Sequence, residues 1–185
     1  MFQNIAIIQT FAIQNPKVMK ELIERYAEYN LWVNVRLVNF LKDQPEEIID
    51  REIISSFPSI RRTLLHIWDA EAIWLSRLKN VSPAAFPSKS FSGSWEDILG
   101  NVVANSAQFF DFVKNTDEDF LQKPFEYSDL SGNIHRQQPA DMIQHCMNHS
   151  TFHRGQIITM CRQSGLTALP RTDYIIFVRE KSNAQ

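Results

Sequence analysis

Apolar residues recur at the helical period over long uninterrupted stretches of this chain, and that period constrains the fold more than any other feature. After Asn15-Pro16, an Asn cap followed by Pro at the first helical position, the residues Val18, Met19, Leu22, Ile23, Tyr26, Tyr29, Val33, Leu37, Phe40 and Leu41 fall at helical spacing. This helix is expected to end before Pro45. A second run starts after Ser59, a plausible cap, and closes near Asn80. A third starts at Ser94, whose spacing to Asp97 resembles a capping box, and carries Ile98, Val102, Phe109, Phe110 and Val113. Pro139 opens a fourth run, and Gly165 follows its last turn, as a C-terminal glycine should. Four long helices in 185 residues predict an all-α fold, a four-helix bundle in a single domain, with residues 1–14 as an N-terminal extension.

The connections are less regular. A Pro- and Ser-rich loop, VSPAAFPSKSFSGS, separates the second and third helices. Residues 117–138 lose the helical period, and a Ser-Gly-Asn turn inside them suggests an irregular hairpin, so a long, partly extended loop precedes the last long helix. Both loops exceed the usual bundle connection, and such loops often cover a site. The segment PRTDYIIFVREK reads equally as a short helix or a strand.

Charge and composition exclude several functions. The net charge is −2 and no basic stripe stands out, so there is no electrostatic footprint for nucleic acid; Arg61-Arg62 reads as a solvated helix end. No apolar run approaches the ~18 residues of a membrane span, and the N-terminus lacks the basic region and cleavage site of a signal peptide. Cys146 and Cys161 on one helix would stand roughly 22 Å apart, too far to bridge, which fits reduced thiols in a cytoplasmic protein.

The stretch HCMNHSTFHRGQ places His145, His149 and His153 four residues apart. On a helical wheel, with His149 at zero, His145 lies at about −40° and His153 at about +40°, on the apolar arc but towards one edge of it. They are expected to point into the bundle. Arg154, at about 140°, is the odd residue on that arc. His145 and His153 are ~12 Å apart along the axis, so one ion can take only an adjacent pair, 145/149 or 149/153. A third ligand must come from another helix. His66 is the main candidate, and His135, in a loop-like segment, is a weaker one. No HExxH occurs, since residue 150 is Ser, so the zinc-protease arrangement is absent.

These residues carry a family likeness. HCMNHSTFHRGQIITMCRQSG resembles the last bundle helix of the DinB/YfiT-like superfamily, and YNLWVNVRLVNFL and SIRRTLLHIWDAEAIWLSRL are similar to its first and second helices. LPRTDYIIFVRE is similar to its C-terminal segment. The resemblance implies a four-helix bundle with a divalent metal, nickel or zinc, held by His66, His149 and His153. It thus selects 149/153 over 145/149 and makes His145 a neighbour of the ligands or a pocket wall. It also implies a homodimer, and an enzyme acting on a small molecule, in some members with a low-molecular-weight thiol.

Three neutral imidazoles would leave the ion its full charge and an open position. That position can lower the pKa of a bound water or deprotonate a thiol. An S-transferase or a hydrolase follows; the alternative is a non-catalytic, metal-stabilised stress or interaction protein. Asp69, three residues after His66, is a candidate base, with a solvated helix residue as its alternative. Glu71, on the apolar side of its helix, needs a partner, and Arg154 is the candidate for a structural pair. Tyr29, Trp32 and Asn34 are candidate pocket residues or core, and Cys146 is a possible neighbour of the site.

Overall fold

A computed structural model describes residues 16–184. The N-terminal extension and the Asn15 cap lie outside the described residues. Four long helices form the bundle: α1 (Pro16–Lys42), α3 (Ile60–Leu78), α4 (Trp95–Asn115) and α6 (Pro139–Gln163). Short helices α2 (Glu46–Asp50) and α5 (Glu118–Gln122) follow α1 and α4, and neither is long enough to show a period in the sequence. Before α6 stands an antiparallel hairpin, β1 (Phe125–Ser128) and β2 (Ile134–Gln137), with Tyr127 paired to His135. The ambiguous C-terminal segment is a helix, α7 (Tyr174–Asn183), whose buried Phe177 packs with Tyr29 and Val33 of α1.

The helix ends obey local chemistry. Ser59 Oγ accepts from the Arg62 N–H at 3.3 Å, and Ser94 and Asp97 form a reciprocal capping box. Gly165 adopts φ +87° just past α6, a conformation that a side chain disfavours.

Two apolar clusters fill the bundle, and a polar layer separates them. One holds Leu37 and Leu41 of α1, Leu64 and Ile67 of α3, Ile98 and Val102 of α4, and Ile157 and Cys161 of α6. The other holds Ile23 and Ala27, Leu75 and Leu78, Phe109 and Val113, and Ile143 and Met147. Chain order through the clusters sets direction: α1 and α6 run one way, α3 and α4 the other. The α3–α4 connection must therefore return along the length of the bundle, which explains its length and carries it past the middle of α3.

The polar layer lies between the clusters. Glu71 of α3 is 1% exposed and accepts from Asn30 Nδ2 at 2.7 Å, Asn34 Nδ2 at 3.0 Å, Ser106 Oγ at 2.7 Å and Ser150 Oγ at 3.2 Å. Arg154 of α6, 2% exposed, donates to the side-chain carbonyls of Asn30 and Asn34. Glu71 and Arg154 thus meet through two asparagines, one α1 turn apart, in place of the direct pair expected from the sequence.

Removing one member leaves a buried charge without its partner, which costs about 3–5 kcal/mol in comparable sites. Glu71→Ala is expected to destabilise by that order in urea unfolding. Arg36→Ala, which breaks the exposed pair with Glu180 and the contact with the Trp32 ring, is expected to cost no more than about 1–2 kcal/mol. Similar losses for the two variants would refute the central role of the layer.

Candidate metal centre

Helices α3 and α6 pack antiparallel, so His66 of α3 meets His149 and His153 of α6. One donor nitrogen from each lies within 4.8 Å of the others. The ring centroids are 4.8 Å apart for His66–His149, 4.7 Å for His66–His153 and 4.4 Å for His149–His153. His153 is 5% exposed, while His66 and His149 are half-buried. The cluster therefore sits at the rim of the bundle, where the edge of the apolar arc places it; the middle of that arc holds Ser150 and Arg154.

The donor chemistry fits a cation. Burial pushes the His66 imidazole down to about 4, with a further contribution from the charge on His153. Burial, then the charges on the neighbouring histidines, pushes His149 to about 3. His153 is lowered by burial as well. All three are thus neutral near pH 7 and keep a lone pair for a metal. His66 Nε2 and His149 Nε2 stand 2.9 Å apart, a span that two bonds of roughly 2.0–2.1 Å to one ion can bridge. Without a metal, one of these nitrogens carries a proton and donates it to the other; with both rings in the Nδ1–H tautomer, both Nε2 lone pairs are offered to a cation. His153 Nδ1 lies 2.7 Å from Gln156 Oε1 and donates its proton there, which leaves Nε2 as the donor to a metal. Gln156 is oriented in turn by donating to Ser56 Oγ at 2.8 Å.

Aromatic rings wall the cluster. Phe57, from the loop before α3, lies 4.2 Å from the His66 ring and 5.6 Å from that of His153. Phe86, on the returning α3–α4 loop, lies 6.4 Å from His66. Phe152 packs on His153 at 5.0 Å. Sequence reasoning assigned none of these three a role, because nothing in an isolated loop phenylalanine tells which helix it will meet. Gln156 did carry a signal: three residues after His153, it shares that face of the helix.

The other expected residues fall into distinct places. Asp69 is 6% exposed and so is not a solvated helix residue. Its carboxylate accepts from Ser88 N–H at 2.9 Å and Ser88 Oγ at 2.6 Å, pinning the returning loop two residues beyond Phe86. His145 is exposed rather than pointing into the bundle, with its ring 6.0 Å from His149 and 4.9 Å from Trp74. His135 lies on the hairpin, bonded to Asp129 at 2.9 Å and stacked on Tyr127. Asn34 belongs to the polar layer, and Tyr29 donates to the Thr172 carbonyl within the α1–α7 aromatic cluster. Trp32 donates to Glu180 on α7. Cys146 is wholly buried, and burial, then the Glu71 charge, pushes its thiol well above the ordinary range. Cys161 is also buried and free.

The fold and cluster define a class: a helical bundle whose second and last long helices present three histidines able to hold a metal ion. The sequence model of the DinB family matches residues 17–182, and the chain belongs to that family. Protein DinB of Bacillus subtilis (strain 168) is 29% identical over 167 residues, which span 86% of this chain and 95% of that protein. Among solved structures, a DinB-like protein from Bacillus cereus ATCC 10987 superimposes with a TM-score of 0.60 at 19% identity, covering 78% of this chain and 91% of that one. A second, YjoA of Bacillus subtilis, gives a TM-score of 0.56 at 12% identity, covering 84% and 97%.

Two outcomes follow from this geometry. Gln156→Ala removes the acceptor that fixes the His153 tautomer and is expected to weaken zinc or nickel binding roughly 10–100-fold in a chelator competition, with Gln156→Glu retaining it. Unchanged affinity in Gln156→Ala would contradict the assignment. The metal-free protein should also lose stability as pH falls from the ordinary histidine value of 6.5 towards about 4 and then about 3. In that window the unfolded chain binds protons on His66 and His149 that the folded chain does not, whereas above it both states are neutral and the dependence is flat. Melting temperatures from pH 8 to 4 check this, and a rise on acidification would reverse the sign.

Proposed function

We propose that this protein is a metal-dependent enzyme that activates a thiol or water to attack a small electrophile, an S-transferase or hydrolase, using nickel or zinc held by His66, His149 and His153. One observation carries the reading: among the described residues the cluster offers three protein donors, not four. Structural zinc sites are closed by four protein ligands, whereas catalytic sites keep a position open. The same count weighs against a purely metal-stabilised interaction protein. Imidazole donors suit zinc and nickel alike.

When bound, the metal supplies Lewis acidity, which makes a thiol or water acidic enough to lose its proton near neutral pH. The rest falls to the chain. His66, His149 and His153 hold the ion, and Gln156 keeps the His153 ring in register. Phe57, Phe86 and Phe152 stand around the cluster and narrow the approach to it. Asp69 holds the Phe86 loop through Ser88, so its role is to position a wall. His145 is the nearest histidine outside the triad, and burial of its ring and the Arg77 charge lower its pKa. It is therefore neutral at pH 7 and suited to take the released proton on a ring nitrogen.

No helix among the described residues is long and apolar enough to cross a membrane. Two free buried cysteines fit the cytoplasmic location we propose, and a homodimer is proposed on the family likeness alone.

Metal analysis of the purified protein, followed by titration of His66→Ala and His149→Ala, tests the reading. Each variant is expected to lose zinc or nickel affinity on the order of a hundredfold or more, and thiol-dependent turnover with it. Wild-type affinity in either variant would rule out the triad.

A further inference from the structure

Beyond the triad, α3 and α6 carry two more rings side by side. The His145 ring lies 6.0 Å from that of His149 and 4.9 Å from that of Trp74, which stands two turns beyond His66 on α3. Beside them lies a cavity of about 260 Å³ lined by Trp74, Tyr127, Gln137, Asp141, Met142 and His145. Its elements have different origins: α3 gives Trp74, the start of α6 gives Asp141, Met142 and His145, and the hairpin gives Tyr127 and Gln137.

The walls are held from behind. The Arg77 guanidinium, 6% exposed, lies 4.7 Å from the Trp74 ring and 5.0 Å from the Tyr127 ring. It touches both rings at once and fixes their mutual angle, with the centroids 5.6 Å apart. The hairpin roof is tied down independently: the Ser128 N–H donates to Ser82 Oγ at 2.9 Å, His135 bonds Asp129, and Tyr127 donates its hydroxyl to Gln137. That last bond occupies the Gln137 carbonyl oxygen and leaves its amide N–H groups free as donors at the cavity wall. A preformed space with aromatic walls, an apolar Met142 floor and a few polar groups is the usual make-up of a small-molecule site.

We propose that this cavity is the subsite for the body of the substrate, a compact single-ring or conjugated molecule bearing a hydrogen-bond acceptor, with its reactive group directed past His145 to the triad. The substrate-class assignment rests on the function proposed above, but the cavity as a binding site does not. Trp74 and Tyr127 take the ring between them, and the Gln137 amide takes the acceptor. A space of about 260 Å³ matches the volume of a single ring with a small substituent.

Phenylacetamide is the first probe, because it needs no metal. In metal-free protein it is expected to shift the Trp74 indole and His145 ring signals saturably by NMR. Followed at the His145 ring, the shift is expected to vanish in Trp74→Ala and in Gln137→Phe, which fills the cavity from an exposed strand position and leaves the hairpin's bonds to Ser82 and within its turn in place. No saturable shift, or equal affinity in both variants, overturns the proposal. Benzyl mercaptan and 2-mercaptoethanol are then titrated into zinc-loaded protein. The ring is expected to give benzyl mercaptan a roughly tenfold tighter affinity, a gain that vanishes in Gln137→Phe while zinc binding is unchanged. Thiols that bind zinc with no such gain overturn the subsite as a substrate site. If phenylacetamide binds as expected but neither thiol engages zinc, the cavity stands and the thiol reading of the function fails.

Discussion

The rest of the structure depends on how the bundle accommodates one buried carboxylate. Glu71 accepts four hydrogen bonds, and its donors come from α1, α4 and α6. A buried carboxylate with a missing donor costs far more than a satisfied one contributes, so the layer tolerates one relative register of the four long helices. That register places the triad. On α6, Ser150 and Arg154 face inward to the layer, and their chain neighbours His149 and His153 turn to the adjoining rim. On α3, His66 precedes Glu71 by five residues and turns to the same rim.

Topology supplies the remaining parts. Because α3 and α4 run in the same direction, their connection travels back along the bundle, and Asp69 fastens it through Ser88 as it passes. Phe86 is thereby held near His66. From the loop before α3, Ser56 orients Gln156 and Phe57 covers two of the imidazoles. Loops longer than a bundle needs for closure are used here as walls.

Much of this was legible in the sequence, and the limits have physical causes. Helix positions, the Ser59 and Ser94 caps, the Gly165 stop and the hairpin before α6 follow from local rules that act over a few residues. The wheel placed the histidines at the edge of the apolar arc, and the edge is where the triad lies, although His145 lies further out than expected, with its residue exposed. Glu71 and Arg154 stood out as charges on apolar faces, but the wheel of one helix cannot show that asparagines from another will stand between them. The same holds for Phe57 and Phe86: their roles come from where a loop is carried, and no spacing in the sequence encodes that. The short helices α2 and α5 were missed because five residues make too little of a period to read.

The two polar groupings of the bundle solve opposite problems, and the contrast explains where chemistry can occur. In the central layer the bonds from Asn30, Asn34, Ser106 and Ser150 to Glu71 close the network, and its charges lie beyond the reach of solvent. Such a layer specifies a fold and offers nothing to a ligand. At the rim, two Nε2 atoms face each other at 2.9 Å and the third imidazole is pre-set by Gln156, while burial keeps all three rings unprotonated. In the protein alone one of the facing Nε2 atoms donates to the other, and in the Nδ1–H tautomers the three rings would turn their Nε2 lone pairs to one cation. The rigid layer fixes where α3 and α6 stand relative to each other, and so holds the three rings at ligand spacing, one turn from the cavity under the hairpin.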